Sequence, residues 1–172
     1  MFNPFSRAPR GGAAWFNAGP VSSFPSIDAS NNGPLAQQRQ CNDNFAPGCK
    51  VFHVPAEDAS AAKQVGIDEW KEEGAGEAKQ QVMVFRYEGK FVAVDHECPH
   101  SSFPLSNGTP FDIEDFGVKL SAGITCPKHD WSFDLFTGKS DRGSYRLKIW
   151  ETEVRKGGDG EEVWVRRKQR IG

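Results

Sequence analysis

Residues 81–100 read QVMVFRYEGKFVAVDHECPH. Two apolar runs, 81–87 and 90–95, flank Glu88-Gly89. The glycine supplies positive φ for a tight turn, so the segment predicts a β-hairpin. That hairpin delivers the chain directly to Cys98-Pro99-His100, a thiol and an imidazole at the tip of a loop stiffened by proline.

Working outward, the flanks predict more strand and little helix. Residues 1–13, rich in Pro, Gly and Arg, read as a flexible lead. Residues 14–27 carry Trp15, Phe16, Val21, Phe24 and Ile27, a first strand and then a turn. Residues 28–48 are polar and turn-rich and read as a loop. Residues 50–55, KVFHVP, form a short strand. Residues 56–73 look helical, with Asp58 or Ser60 as cap and Ala61, Ala62, Val65 and Trp70 on one face. Gly66 weakens that helix by about 1 kcal/mol relative to alanine, and residues 74–79 read as a linker. Downstream, WSFDLF (131–136) before Thr137-Gly138 predicts a second hairpin. YRLKIWETEV (145–154) and EEVWVRRK (161–168) alternate around the 157–160 turn as a closing strand pair. The fold class is mostly β, built of short antiparallel strands.

The chain has 172 residues, and 37% of them are apolar, which supports one modest core. Eighteen Gly and eleven Pro fit many turns. A formal net charge of −2 gives no support for a nucleic-acid partner. No stretch approaches 18 consecutive apolar residues, so no membrane span is expected, and residues 1–20 lack the apolar run of a secretory signal. Arg7 and Arg10 precede the first acidic residue, Asp28, a bias shared with organelle transit peptides. Pro4, Pro9, Gly11 and Gly12 would break the helix such peptides need. The expected location is cytoplasmic, with the mitochondrial matrix as the alternative.

Two motifs stand out: Cys98-Pro99-His100, and Cys126-Pro127-Lys128-His129 after 25 intervening residues. Two Cys and two His are the donors of a tetrahedral zinc site. They are also the donors of a [2Fe–2S] cluster with both Cys on one iron and both His on the other. Zinc sites of this composition tend to pair like ligands close together, whereas here each loop holds one of each. Two matched loops gripping a two-iron cluster suit that order better.

CPH…CPKH resembles the Rieske motif, Cys-x-His followed by Cys-x-x-His. The hairpin before it, SFPLSNG after it and CPKHDWSFDLFTG at the second loop are similar to Rieske ferredoxins. The resemblance is specific over residues 81–150 and weaker over 14–54. It implies an antiparallel β-sandwich with a small cluster-binding subdomain. Residues 14–172 would be that domain, with cluster loops at 96–107 and 123–133 and insertions at 28–48 and 56–79. It implies Cys98, His100, Cys126 and His129 as cluster ligands, with no catalytic residue besides. Two departures stand out. Residues 109–122 lengthen the gap between the motifs, either to shield the cluster or to form part of a docking surface. Asp130 stands where the family usually has Gly; if the backbone there needs positive φ, Asp tolerates it better than most residues.

Within the family, the respiratory type has a membrane anchor and two extra cysteines, at positions that are Ser102 and Lys128 here. It also has Ser and Tyr hydroxyls in the second loop that raise the potential, where this chain has Trp131 and Phe133. The resemblance thus implies a low potential, about −150 mV. An oxygenase would need a two-His-one-carboxylate iron site, and only His53 and His96 remain. The expectation is therefore a soluble ferredoxin-like carrier, taking one electron from a flavoprotein reductase and passing it to an oxygenase or similar acceptor. The rival readings are a redox-sensing or regulatory domain, or a small subunit of a larger oxidoreductase.

The other candidates read plainly. His53 sits on a strand face, and His96 is either structural or a support for the ligands. Cys41 and Cys49 read as free thiols, with a bridge as the alternative. Trp131 either shields the cluster or packs in the core. Arg166, Arg167, Lys168 and Arg170 read as a solvated edge.

Overall fold

The computed structural model describes residues 11–67 and 80–168. In chain order the strands are β1 (Phe16–Pro20), β2 (Ser26–Ile27), β3 (Gln38–Cys41), β4 (Asn44–Pro47), β5 (Cys49–His53) and β6 (Lys63–Val65). Then follow β7 (Gln81–Tyr87), β8 (Lys90–Asp95), β9 (Thr109–Asp115), β10 (Val118–Thr125), β11 (Ser132–Asp134), β12 (Trp150–Gly157) and β13 (Gly160–Arg167).

The β7–β8 hairpin is the centre of the molecule. Its turn residues, Glu88 and Gly89, both take positive φ, as the expected two-residue hairpin turn requires. One edge of β7 carries β8; the other carries β5 antiparallel and then the two residues of β2 in parallel. β6 extends β5. Alternation along β7 divides the apolar residues between two cores. Met83, Phe85 and Tyr87 face a cluster containing Leu105, Ile124, Phe133 and both motif cysteines. Val82 and Val84 face one built with Phe16, Phe52, Trp150, Val163 and Val165. A sheet buried on both faces explains why QVMVFRY reads as a near-continuous apolar run.

The two outer layers are three-stranded sheets, β1–β13–β12 and β11–β10–β9. The first closes the core on one side; the strand pair predicted at 145–154 and 161–168 forms as Trp150–Gly157 with Gly160–Arg167, in register from Trp150↔Arg167 to Gly157↔Gly160. The second carries the second cysteine motif beyond the end of β10. Tyr87 donates to Asp112 Oδ1 at 2.7 Å, and Lys119 pairs with Glu88 and Asp112, which ties the β9–β10 hairpin to the central one.

Several sequence expectations change. Residues 28–48 are not all loop: β3 and β4 pair across Asn42, whose φ of 56° a short polar side chain accommodates. The helix expected from residue 56 does not form in its described part. Asp58 does cap, its side chain accepting from Ser60 N–H, but only a 3₁₀ turn at Ala59–Ala61 follows before β6. Pairing of Lys63–Val65 with β5 satisfies the backbone there. The rest of that segment, 68–73, and the linker at 74–79 lie outside the described residues.

The last part of the lead, Gly11–Ala13, is a 3₁₀ turn packed on the chain: a Cβ on Gly12 would stand 2.6 Å from Ala56 O. The hairpin after the second cysteine reduces to β11 and a single bridge, Phe133↔Ser140. The Asp134 carboxylate closes the turn by accepting from Phe136 and Thr137 N–H. Residues 109–122 form most of the β9–β10 hairpin. β10 runs from its turn at Phe116-Gly117 to the residue before Cys126, so the turn sits about 30 Å along the strand from that cysteine. Its free end therefore does not shield the motifs. Arg167 is no solvated edge: its guanidinium donates to Gly12 O (2.9 Å), Val54 O (2.9 Å) and Pro55 O (3.3 Å). Arg170 lies outside the described residues.

Candidate metal centre

β8 leads into the first motif and β10 into the second, and the two loops share one backbone frame. In each, the cysteine N–H donates to the carbonyl five residues on: Cys98 to Phe103 (2.9 Å) and Cys126 to Trp131 (2.8 Å). In each, the residue four on donates back to the cysteine carbonyl: Ser102 at 2.8 Å and Asp130 at 2.9 Å. Those two residues are left-handed, at φ 58° and 61°. Asp130 thus occupies the conformation anticipated for it. The imidazole follows the cysteine by two residues in the first loop and by three in the second.

This frame sets the two cysteines beside each other and the two histidines beside each other. Cys98 and Cys126 are each 1% exposed, and their thiols are hydrogen-bonded to each other. That contact, before any other cause, draws the Cys98 thiol down to about 5 and pushes the Cys126 thiol up. The His100 and His129 rings meet edge to face, centroids 5.1 Å apart. His129 is exposed and His100 half-buried. Trp131 stacks flat on His100, at 3.9 Å and 7°, and Tyr145 closes edge-on against both at 5.3 and 5.4 Å. Trp131 thus both packs against the core and covers an imidazole.

His100 Nδ1 is buried and has no hydrogen-bond partner. A buried polar atom normally finds one; a metal bound at that nitrogen would supply it. Two adjoining thiols with two adjoining imidazoles, one nitrogen orphaned, fit the donor set of a mixed-ligand [2Fe–2S] cluster. Among the described residues, no three His, Cys, Asp or Glu side chains gather around a single-ion position.

The supports come from the neighbouring turn. His96 is buried and structural: Nδ1 lies 2.9 Å from Gln81 Oε1, and Nε2 lies 2.7 Å from Ser106 Oγ. Burial lowers its pKa to about 4, so it stays neutral while it braces the first loop. His53 is half-buried on β5, as expected. Cys41 and Cys49 are free; Cys41 donates to Ser22 O, and burial raises the Cys49 thiol to about 12. One group escaped the sequence. Ser101 Oγ lies 3.6 Å from Cys126 Sγ, so a hydroxyl reaches a motif sulfur from the opposite loop, while positions 131 and 133 offer none.

Comparison with known proteins bears on the same region. The family model of the Rieske [2Fe-2S] domain matches residues 53–148. The chain is 39% identical over 59 residues to the 3-phenylpropionate/cinnamic acid dioxygenase ferredoxin subunit of Photorhabdus laumondii, covering 34% of this chain and 49% of that protein. It is 38% identical over 60 residues to a human Rieske domain-containing protein, covering 35% of each. The alignments thus span half or less of these relatives. Among solved structures, the ferredoxin of Sphingomonas yanoikuyae B1 is 26% identical with a TM-score of 0.36, covering 52% of this chain and 76% of that one. No described helix is long and apolar enough to cross a membrane. The family match takes in the central hairpin, both cysteine–histidine loops and more than half of the chain, and on it the protein belongs to the Rieske [2Fe–2S] domain family.

Proposed function

We propose that Cys98, His100, Cys126 and His129 hold the cluster, the two cysteines on one iron and the two histidines on the other. The protein would then be a low-potential one-electron carrier between a flavoprotein reductase and an oxygenase or similar acceptor. The observation that carries this reading is the meeting of two loops with one backbone frame, sulfurs side by side and imidazoles face to edge. A bound cluster supplies a centre that takes up and gives back one electron.

The chain's own residues do the rest. The lowered Cys98 thiol favours the thiolate a metal needs. The left-handed Ser102 and Asp130 fix the two loops. Trp131 keeps water from one face of His100. His129, exposed at the surface, is the side chain a docked partner would approach first. The ferredoxin-subunit relative supports an oxygenase as acceptor. Both nitrogens of His96 are engaged, which leaves no histidine pair for a second iron site. A cytoplasmic location, or the mitochondrial matrix, suits a reductase-fed carrier.

Lacking hydroxyls at 131 and 133, the centre is expected to titrate with one electron per chain at about −150 mV, the low end of the Rieske range. Potentiometric titration followed by visible absorbance checks this. A midpoint above roughly +100 mV would sink the low-potential reading.

A further inference from the structure

We propose that the surface beside the His100–His129 pair is a cationic dock for an acidic face of the redox partner protein. This rests on the carrier reading above and adds the chemistry of the partner. The whole chain is slightly acidic, at −2, yet residues 128–148 hold five basic and three acidic residues. Two of the three acids, Asp134 and Asp141, are engaged in hydrogen bonds, and Asp130 is exposed. Asp134 accepts from Phe136 and Thr137 N–H, and Asp141 accepts from Ser132 N–H while pairing with Arg142. Lys128, Arg142, Arg146 and Lys148 remain exposed.

Beside them is a groove of about 430 Å³ lined by Asp95, Arg146, Lys148, Trp150, Arg167 and Lys168, among others. It holds four cations against one carboxylate, and that carboxylate accepts from Trp150 Nε1 at 2.7 Å. Arg167 lies over the Trp150 ring at 4.8 Å and is anchored to three carbonyls, so its charge is fixed in place. The chain leads directly from the centre to the groove. Arg146 follows Tyr145, which is 44% exposed and touches His100 and Trp131. A local field opposite in sign to the net charge steers an acidic surface toward this end and away from the rest.

The test uses small outer-sphere oxidants as charge probes. Each takes one electron from the reduced protein, so that ferricyanide becomes ferrocyanide and hexaammineruthenium(III) becomes the ruthenium(II) complex. Stopped-flow oxidation is measured as ionic strength rises through the range where the Debye length falls to about 8 Å. The net charge alone would make ferricyanide faster at high salt. The cationic dock makes it slower, by about threefold or more, with the opposite trend for the ruthenium complex. Arg146→Glu/Lys148→Glu should abolish or reverse the ferricyanide trend, while Lys156→Glu, on the far turn of β12–β13, should not. Ferricyanide oxidation that speeds up with salt in the unmodified protein overturns the proposal, as does a double variant that leaves the trend unchanged. Absorbance of the same samples reports the cluster separately, so an absent chromophore counts against the carrier reading instead.

Discussion

Ser101 shows how one hydroxyl bears on the centre. Its Oγ lies 3.6 Å from Cys126 Sγ. A donor at a ligand sulfur withdraws electron density and favours the reduced form, so it raises the potential. Ser101→Ala is therefore expected to lower the midpoint. A hydrogen bond worth about 0.5–1.5 kcal/mol corresponds to about 20–60 mV for one electron. Protein-film voltammetry of the variant measures the shift; an unchanged or higher midpoint would mean that the hydroxyl does not donate to that sulfur. Sequence reasoning missed this donor because it looked within the second loop, whereas the contact crosses between loops. The four candidate ligands were legible for the opposite reason: each lies within three residues of its partner along the chain. Asp130 was legible too, because left-handed tolerance is a property of a single residue. Trp131 was not decidable, since stacking on His100 depends on which loop lies opposite.

At the scale of elements, legibility followed the strength of the local pattern. The β7–β8 hairpin and the β12–β13 pair carry long alternating runs and a glycine turn, and both formed as expected. β3 and β4 read QRQC and NFAP, with neither alternation nor β-branched residues, so their pairing was invisible in composition. The helix expected from residue 56 rested on alanine spacing; sheet pairing with β5 outweighed that propensity over Lys63–Val65. The turn after β11 supplies the prediction at this scale. Gly138 sits at φ 76°, and a Cβ there would collide with the backbone carbonyl of Leu147, whose N–H in turn donates to Gly138 O. Gly138→Ala is expected to cost about 2 kcal/mol or more, from left-handed strain and the clash together. Chemical denaturation measures this; a loss below about 0.5 kcal/mol, the range of an ordinary surface substitution, would show that the turn relaxes freely.

In the whole molecule, a central sheet buried on both faces separates two cores, one of which contains the motif cysteines. The proposed metal centre would thus be continuous with the hydrophobic interior on its cysteine side, and open to solvent on its histidine side at His129. The mostly-β class was readable from short alternating segments and many turns. The assembly of the sheets was not, because pairings such as β1 with β13 join residues nearly the whole chain apart. Electron paramagnetic resonance of anaerobically purified, dithionite-reduced protein tests the four-ligand assignment most directly. The unmodified chain is expected to give the signal of a reduced [2Fe–2S] cluster, and Cys126→Ser and His129→Ala are each expected to lose it. No signal in the unmodified protein, or an unaltered one in either variant, would contradict the assignment.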